Sequence, residues 1–430
     1  MDNLTHSLVG LLVGETAATV SATAPSGLPA AKKRVAMLGL MLVGSNFPDF
    51  DVLYTALTRS KLDYLLQHRG YTHTIVGALV ATALMLGVCE LWLRRGRLLP
   101  TAKDRLQLLV VALLAPLLHI ALDYTNSYGV HPFWPFYDGW MYGDSVFIVE
   151  PLLWGVAAPL AFLLRSRPAR YAIMFALLAG AGLCFFSGLV PWFGACVYLL
   201  VTVVLLALGK YAAPRTALLA GIGCWALITI VFASASHLAG KRIESLAAEQ
   251  FPEAVTLDHV LTPMPVNPLC WDIILVQQDA LHVILRRATM SLSPAIMRAD
   301  RCPDGVAASH ITAPLRAIAG GDVPAIRWKG EVATSLSTLR GVVAMDCRAR
   351  EFMRFARAPW AGRFTTESTI ENMIIGDLRY DREPGEGFAE LTLGQTSKCP
   401  SHVPPWLPPR GDLLRAIPAA SSVPTSSASQ

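Results

Sequence analysis

The sequence predicts a multi-pass α-helical membrane domain followed by a mainly β or α+β extracytoplasmic domain. Hydrophobic residues make up 53% of the 430-residue chain and charged residues only 16%, whereas soluble domains carry about 25% charged residues. The apolar residues are concentrated in the first 240 residues. From about residue 243 the chain changes to short alternating segments between Pro- and Gly-containing turns. We therefore expect domains at 1–240 and 243–405, with a disordered tail at 406–430.

About eight hydrophobic segments in the N-terminal domain are candidates for membrane helices. A lipid core about 30 Å thick requires around 20 apolar residues in a helix. The first candidate is rich in Thr, Ser and Gly, and the second is short enough to be a re-entrant or half helix. Residues 1–23 lack a basic leading region, so we expect a retained segment rather than a cleaved signal peptide. The segments are 4–23, 35–47, 71–93, 106–122, 146–164, 171–190, 192–208 and 216–239.

The basic residues of the short loops predict the orientation of these segments. One set of loops carries thirteen Lys and Arg residues, and the alternating set carries three. Because basic loops stay in the cytoplasm, the 48–70 and 123–145 loops and everything after residue 240 are expected outside. Lys241 and Arg242, just beyond the last segment, run against this assignment. The C-terminal domain is still expected on the side of the membrane away from the cytoplasm.

Four short segments of the C-terminal domain, 271–277, 280–286, 341–345 and 388–393, are predicted as strands because they are apolar or alternating. Residues 351–357 are predicted as a short helix. Four of the eight cysteines lie in this domain, and the other four lie in apolar runs. In an oxidising compartment the four can form two disulfides, for which three pairings are open.

Histidines and carboxylates occur together near the predicted outer membrane face. His119 and Asp123 are four residues apart, so they lie on one face of a helix. Two further motifs are Asn46-Phe-Pro-Asp49-Phe-Asp51 and His68-Arg-Gly-Tyr-Thr-His73. Each can be a helix cap, a solvated turn or an interfacial loop. Together, on one face, imidazole and carboxylate groups are typical of a divalent metal site.

These motifs resemble the YdjM-like family of membrane-bound, metal-dependent hydrolases, which includes LexA-regulated inner-membrane proteins. The matching pieces, which cover about residues 1–200, are Leu4-Thr-His6-Ser, the two motifs above, His119-x-x-x-Asp123-Tyr-Thr-Asn126 and Gly129-Val-His131-Pro-Phe. The His and Asp pattern also resembles zinc-dependent phospholipase C and nucleases, which suggests a phosphoester substrate by analogy.

The resemblance implies a location in the bacterial inner membrane, with the C-terminal domain in the periplasm or outside. It also implies hydrolysis at the outer face of that membrane, with membrane lipids as partners and a lipid or lipid-linked (phospho)ester as substrate. The cofactor is a divalent metal, with Zn favoured over Mn. Asp51 is a ligand or the general base, Arg69 can hold a phosphate, and Glu150 is a catalytic or orienting carboxylate. His131 is either a ligand or a group that orients one. The candidate ligands are His6, Asp49, His68, His73, His119, Asp123 and His131.

Three other functions are compatible with parts of the sequence. A transporter can use intramembrane His and Asp residues, although these residues gather at one face rather than at midplane. A non-enzymatic scaffold or regulatory protein can retain a metal-stabilised site and bind a partner, of unknown identity, through the C-terminal domain. Intramembrane proteolysis is poorly supported, since His-Glu-x-x-His and Gly-x-Ser-x-Gly are both missing. No basic helix with a recognition pattern predicts nucleic-acid binding.

Overall fold

The N-terminal half of the protein is a bundle of α-helices joined mostly by short loops, with one long connection at residues 125–150. The computed structural model describes residues 1–22, 25–58, 60–304, 313–318, 321–365, 371–381, 387–394 and 398–415. The helices of this half are α1 (Asn3–Ser21), α2 (Ala30–Gly44), α3 (Asp51–Thr58), α4 (Lys61–Gln67), α5 (Ile75–Arg95), α6 (Ala102–Tyr124), α7 (Pro151–Gly155), α8 (Leu160–Leu163), α9 (Arg167–Phe186), α10 (Trp192–Tyr211) and α11 (Pro214–Gln250).

Five helices in the described part of the chain are long and apolar enough to cross a membrane, fewer than the eight predicted segments. They are α5, α6, α9, α10 and α11. Segments 4–23 and 35–47 form α1 and the shorter α2. Both pack against each other and against α6, and Leu12 and Met41 are fully buried. These two helices therefore complete the bundle around the later spans.

The predicted segment 146–164 is not one continuous helix. Glu150 caps α7 by accepting the backbone N–H of Leu152 at 3.1 Å, and Pro151 occupies the first helical position. Residues 156–159 form turns before α8 begins. Because Pro159 has no N–H to donate and its ring excludes a regular preceding turn, the helix is interrupted there. Nearly all of this segment is buried in the bundle, so its apolar character reflects packing against protein rather than lipid.

The helix α11 joins the two halves of the protein. Its 37 residues span about 55 Å at 1.5 Å per residue, which exceeds the hydrocarbon thickness of about 30 Å. Ala239, Ile243 and Ala247 pack against Trp271 and Ile273 of the C-terminal domain. The predicted boundary at 240–243 thus falls within a continuous helix. Arg242 donates to the carbonyl of Leu292, which gives this basic residue a structural role.

The C-terminal domain is α+β, with two antiparallel sheets. Sheet one has the order β1-β2-β3-β4 and sheet two the order β5-β6-β7. The segment 341–345 was predicted as a strand but is helical, because Val342 and Val343 continue the buried helical face that Leu336 and Leu339 begin. The elements are β1 (Val255–Met264), β2 (Asn267–Gln278), β3 (His282–Ser291), β4 (Ile326–Ser335), α12 (Leu336–Met345), α13 (Cys347–Phe352), β5 (Pro359–Thr365), β6 (Glu371–Asp377), β7 (Glu390–Leu393) and α14 (Gly411–Leu414).

The segment that begins the predicted tail packs into this domain. Trp406 is fully buried and its indole N–H donates to the carbonyl of Leu66 at 2.9 Å. Leu413 of α14 is also fully buried. Residues 406–415 therefore form part of the folded protein, whereas residues 416–430 lie outside the described residues.

Two disulfides pair the four cysteines of the C-terminal domain, Cys270 with Cys302 and Cys347 with Cys399. The four other cysteines are free. We expect alkylation of the denatured, unreduced protein to modify four cysteines, and alkylation after reduction to modify eight, as counted by intact mass. Modification of all eight without reduction would contradict the pairing and an oxidising location for this domain.

The C-terminal domain is docked on the loops at one end of the bundle. Buried Arg357 pairs through both terminal nitrogens with Asp144, at 2.9 and 2.8 Å, and also pairs with Asp258. Buried Arg379 donates to the carbonyl of Ser127 at 2.8 Å. The indole N–H of Trp140 donates to the carbonyl of Arg354. These contacts fix the C-terminal domain above the end of the bundle that carries the histidine and aspartate motifs.

Candidate metal centre

Four predicted ligands come together at this end of the bundle. Asp49 follows α2, His73 precedes α5, and His119 and Asp123 lie on the last turns of α6. The Nε2 atoms of His73 and His119 are 3.1 Å apart. The Nε2 atom of His73 lies 3.4 Å from an oxygen of Asp49 and 3.2 Å from Oδ2 of Asp123. The corresponding distances from His119 are 3.5 and 3.4 Å.

The spacing of these four atoms fits a tetrahedral metal site. Zinc binds histidine nitrogen and carboxylate oxygen at about 2.0–2.2 Å, so the ligand atoms of a tetrahedral site lie about 3.3–3.6 Å from one another. Five of the six separations within the set fall at 3.1–3.5 Å. Two imidazole and two carboxylate donors also match the ligand chemistry of Zn and Mn. The residues present therefore fit a divalent metal ion.

The hydrogen bond on the far side of His119 fixes which nitrogen faces the cluster. Its Nδ1 lies 2.7 Å from the backbone carbonyl oxygen of Ser45, and a carbonyl can only accept, so Nδ1 carries the proton. In neutral His119 the Nε2 lone pair then faces two carboxylates. Electron-rich atoms at such distances repel one another unless a proton or a metal ion lies between them. The arrangement thus favours a cation at the centre of the four atoms.

Asp51 stands behind His73 and orients it. One oxygen of Asp51 lies 3.4 Å from Nδ1 of His73 and accepts the backbone N–H of Arg69 and the hydroxyl of Thr72. Burial opposes protonation of His73, but the carboxylates of Asp123, Asp49 and Asp51 raise its pKa to about 10. Burial likewise disfavours ionised Asp49, but hydrogen bonds with His119 and His73 hold its pKa well below its usual range.

His68 belongs to a second group of donors that shares Asp49 with the first. Asp49, Asp51 and His68 each offer a ligand atom, and these atoms lie within 4.8 Å of one another. The Nδ1 atom of His68 lies 3.0 Å from Asp51. His68 and Asp51 therefore form, with Asp49, a second set of donors next to the first.

His6 lies beside the first group, on the opposite side of Asp123 from His73. Its Nε2 is 3.3 Å from the second oxygen of Asp123, and its ring stacks on His119 with centroids 3.8 Å apart. Neither ring nitrogen makes a hydrogen bond to the described residues. The Met1 amino group also contacts Asp123. His6 is thus a buried histidine with an unsatisfied nitrogen next to the candidate centre.

Arg69 is held against the cluster by several contacts. Its Nε lies 3.1 Å from Oδ2 of Asp123, and its Nη1 donates to Asn126 at 2.9 Å. The backbone of Arg69 has a φ of 61°, in the left-handed region, which costs a non-glycine residue about 1–3 kcal/mol. The hydrogen bond from its N–H to Asp51 offsets part of that cost. Arg69 therefore presents a positive charge beside the carboxylates.

His131 and Glu150 lie outside the donor groups found among the described residues. The Nδ1 atom of His131 is 3.3 Å from the carbonyl oxygen of Arg69, and its ring stacks on Trp406. Burial lowers the pKa of His131 to about 3, so the neutral ring donates through Nδ1 and supports the Arg69 backbone. Glu150 accepts the backbone N–H of Val266 and thereby holds the β1–β2 turn of the C-terminal domain rather than an imidazole.

A cavity of about 540 Å³, with walls from both domains, adjoins the cluster at Asp49, whereas His73, His119 and Asp123 are buried behind it. Asp49, His68 and Arg69 line its polar side. Tyr380 and Phe388 of the C-terminal domain line another side, and Phe388 contacts Tyr64 with ring centroids 5.5 Å apart. Sequence reasoning did not identify the aromatic walls, since Tyr380 and Phe388 lie more than 300 residues from His68 and carry no motif. The cavity residues are Met1, Asn3, Asp49, Val52, Tyr64, His68, Arg69, Tyr128, Ile148, Tyr380 and Phe388.

Comparison with known proteins agrees with the motifs that form this cluster. Residues 1–191 match the family model described as YdjM inner membrane protein. The resemblance to that family is confirmed. The YdjM-like region contains every candidate ligand and ends before α10. The described C-terminal domain, including the cavity residues Tyr380 and Phe388, lies beyond the match.

One curated relative also aligns with part of the chain. It is the uncharacterized protein YfhP of Bacillus subtilis (strain 168), which is 27% identical over 153 residues. The alignment covers 36% of this chain and 43% of YfhP, so the chain matches less than half of that relative's length. No solved structure matches the chain. The comparisons thus support the membrane region and its motifs.

Proposed function

We propose that the protein is a membrane-bound, metal-dependent hydrolase that cleaves a lipid or lipid-linked phosphoester at the outer face of the inner membrane. The main support for this proposal is the spacing of four donor atoms, which fits a tetrahedral metal site. These atoms belong to Asp49, His73, His119 and Asp123. Asp49 of this set lines a cavity that can admit a substrate headgroup. A divalent metal, Zn or Mn, would supply Lewis acidity and an activated water there.

The proposed site places proton-transfer groups and a positive charge around the cavity. His68 lines the cavity and its Nδ1 contacts Asp51 at 3.0 Å. The carboxylate can hold a proton at Nδ1 while Nε2 exchanges one with the reactants, as in general acid–base catalysis. Arg69 also lines the cavity, where its charge favours a phosphate group. The aromatic walls reduce access of bulk water.

The outer location rests on two independent features of the chain. The thirteen-to-three distribution of basic residues among the loops favours an outer location for the cluster end of the bundle. The two disulfides lie in the domain docked on that same end, and disulfides persist in oxidising compartments such as the periplasm. We therefore assign the C-terminal domain to the periplasmic side.

Hydrolysis is tested with the detergent-purified full chain loaded with Zn or Mn. Phosphatidylglycerol, phosphatidic acid and a polyprenyl phosphate are presented in mixed micelles, and released phosphate or alcohol is measured. We expect turnover of at least one of these substrates by the wild type and none by the His119→Ala variant. Metal binding without turnover of any of the three would contradict the enzymatic proposal and favour a regulatory or scaffold role.

Replacement of Asp51 with asparagine is expected to lower kcat/KM about 10- to 100-fold, the range found when a residue that orients a ligand is removed. The four donors of the first group remain, so metal content measured at saturating metal should stay at the wild-type level even if the affinity falls. Asp63→Asn, on the neighbouring helix α4, is the control and should retain activity. Loss of metal in the Asp51 variant would instead identify Asp51 as a ligand.

A further inference from the structure

An apolar groove runs along the outside of the bundle between α2 and α5. Its volume is about 380 Å³. Val35, Gly39 and Val43 line it from α2, and Val88 and Trp92 line it from α5. Gly39 lies at a point where an added Cβ would meet no atom within 4 Å. The groove is therefore open along a surface that faces lipid.

One end of this groove lies beside the candidate metal centre. The two helices are antiparallel, since α2 ends and α5 begins at the cluster end of the bundle. Phe47 and Phe50 line that end of the groove, and their rings contact each other with centroids 5.3 Å apart. These aromatic residues flank Asp49, a member of the donor group. From Val35 to Val43 the groove extends about 12 Å along α2 at 1.5 Å per residue.

The short helix α3, which leads away from Asp51, exposes apolar side chains next to this end. Leu53 is 67% exposed and Leu57 is 84% exposed. Exposed leucines on a short helix at the end of a bundle are typical of a helix that lies in the membrane interface. The entrance of the groove is thus at the depth where lipid headgroups meet acyl chains.

We infer that the groove between α2 and α5 binds one acyl chain of the lipid substrate, whose headgroup then lies over Asp49 in the cavity. The inference rests on the proposed function in taking the bound lipid as the substrate. The apolar lining provides no hydrogen-bond partner for a peptide backbone or a headgroup, and it suits methylene groups, each of which gains about 0.8 kcal/mol on burial. The substrate enters from the outer leaflet without leaving the membrane.

The test uses the full chain in nanodiscs that contain trace phosphatidylglycerol with a diazirine on one acyl chain. After illumination, labelled peptides are identified by mass spectrometry. We expect labelling of the α2 and α5 peptides to exceed that of the lipid-facing helix α11 and to saturate as the labelled lipid increases. Gly39→Phe should lower groove labelling about tenfold, since two excluded methylene groups correspond to about 1.6 kcal/mol. The space around Gly39 allows this variant to fold.

Gly223→Phe is the matched control, because Gly223 is also an exposed helical glycine with open space around it, on α11. It should leave groove labelling unchanged. Groove labelling that rises in proportion to lipid content, at the level of α11, would overturn the inference and indicate ordinary surrounding lipid. Saturable labelling without any turnover would support the lipid-binding site but contradict the proposed hydrolase activity. If turnover occurs, Gly39→Phe should raise KM for the long-chain substrate about tenfold and leave kcat nearly unchanged.

Discussion

Replacement of His73 or His119 with alanine is expected to remove most of the bound metal. The wild type should carry at least one transition-metal ion per chain after reconstitution, measured by elemental analysis of the detergent-purified protein. Each histidine supplies one Nε2 atom to a four-donor set, so its removal leaves an incomplete site. We expect affinity to fall by more than about a hundredfold, since removal of residues that only orient ligands already costs 10- to 100-fold.

The histidines are better targets than Asp123 for this measurement. Removal of Asp123 would leave the buried guanidinium of Arg69 without the carboxylate that lies 3.1 Å from its Nε, and an uncompensated buried charge destabilises the fold. His282→Ala is the control, because His282 pairs with Asp279 at a half-exposed site in the C-terminal domain. Wild-type metal content in both the His73 and His119 variants would reject the assignment of ligands.

Local sequence spacing predicted much of this cluster because most of its members share short motifs. His119 and Asp123 are one helical turn apart, and residues 68–73 form a single loop before α5. The roles of His131 and Glu150 depend instead on the C-terminal domain. His131 stacks on Trp406, which is 275 positions away, and Glu150 binds the backbone of Val266. A motif in the membrane region contains no information about such partners.

The fold was predicted at the level of domains and less well at the level of elements. Apolar composition indicates burial but not the regularity of the element, which is why 146–164 was predicted as one helical segment although turns interrupt it at 156–159. The short apolar segment 341–345 was assigned to a strand for the same reason, although it belongs to α12. Hydrophobicity indicates which residues are buried, but tertiary packing determines whether those residues form a helix or a strand.

The docking of the C-terminal domain connects the fold to the cavity. Tyr380 and Phe388 reach the cavity only because the domain is fixed on the loops at the end of the bundle that carries the cluster. Lys61 of α4 donates to the carbonyl of Gly387 at 2.7 Å, next to Phe388. A weaker interface would thus change the shape of the candidate substrate site without altering any ligand.

Replacement of Arg357 with alanine is expected to destabilise this docked arrangement by about 3–5 kcal/mol, the usual cost of removing one partner from a buried ion pair. Arg357 is 5% exposed and pairs with Asp144 of the bundle and Asp258 of β1, so two carboxylates would lose their cation. The free energy of unfolding is measured by denaturant-induced unfolding of the full chain in detergent. Limited proteolysis of the folded protein then measures how accessible the 127–150 loop is.

Arg350→Ala provides the matched control for this result. Arg350 is exposed and its guanidinium donates to the nearby carbonyl of Ala344, so its removal should change stability by no more than about 0.5 kcal/mol. Because the metal donors all belong to the bundle, Arg357→Ala should retain metal binding while it increases cleavage of the loop. Equal stability and equal protease resistance of the two variants would show that the Arg357 network does not hold the domains together, and the aromatic contacts between them would then carry the docking.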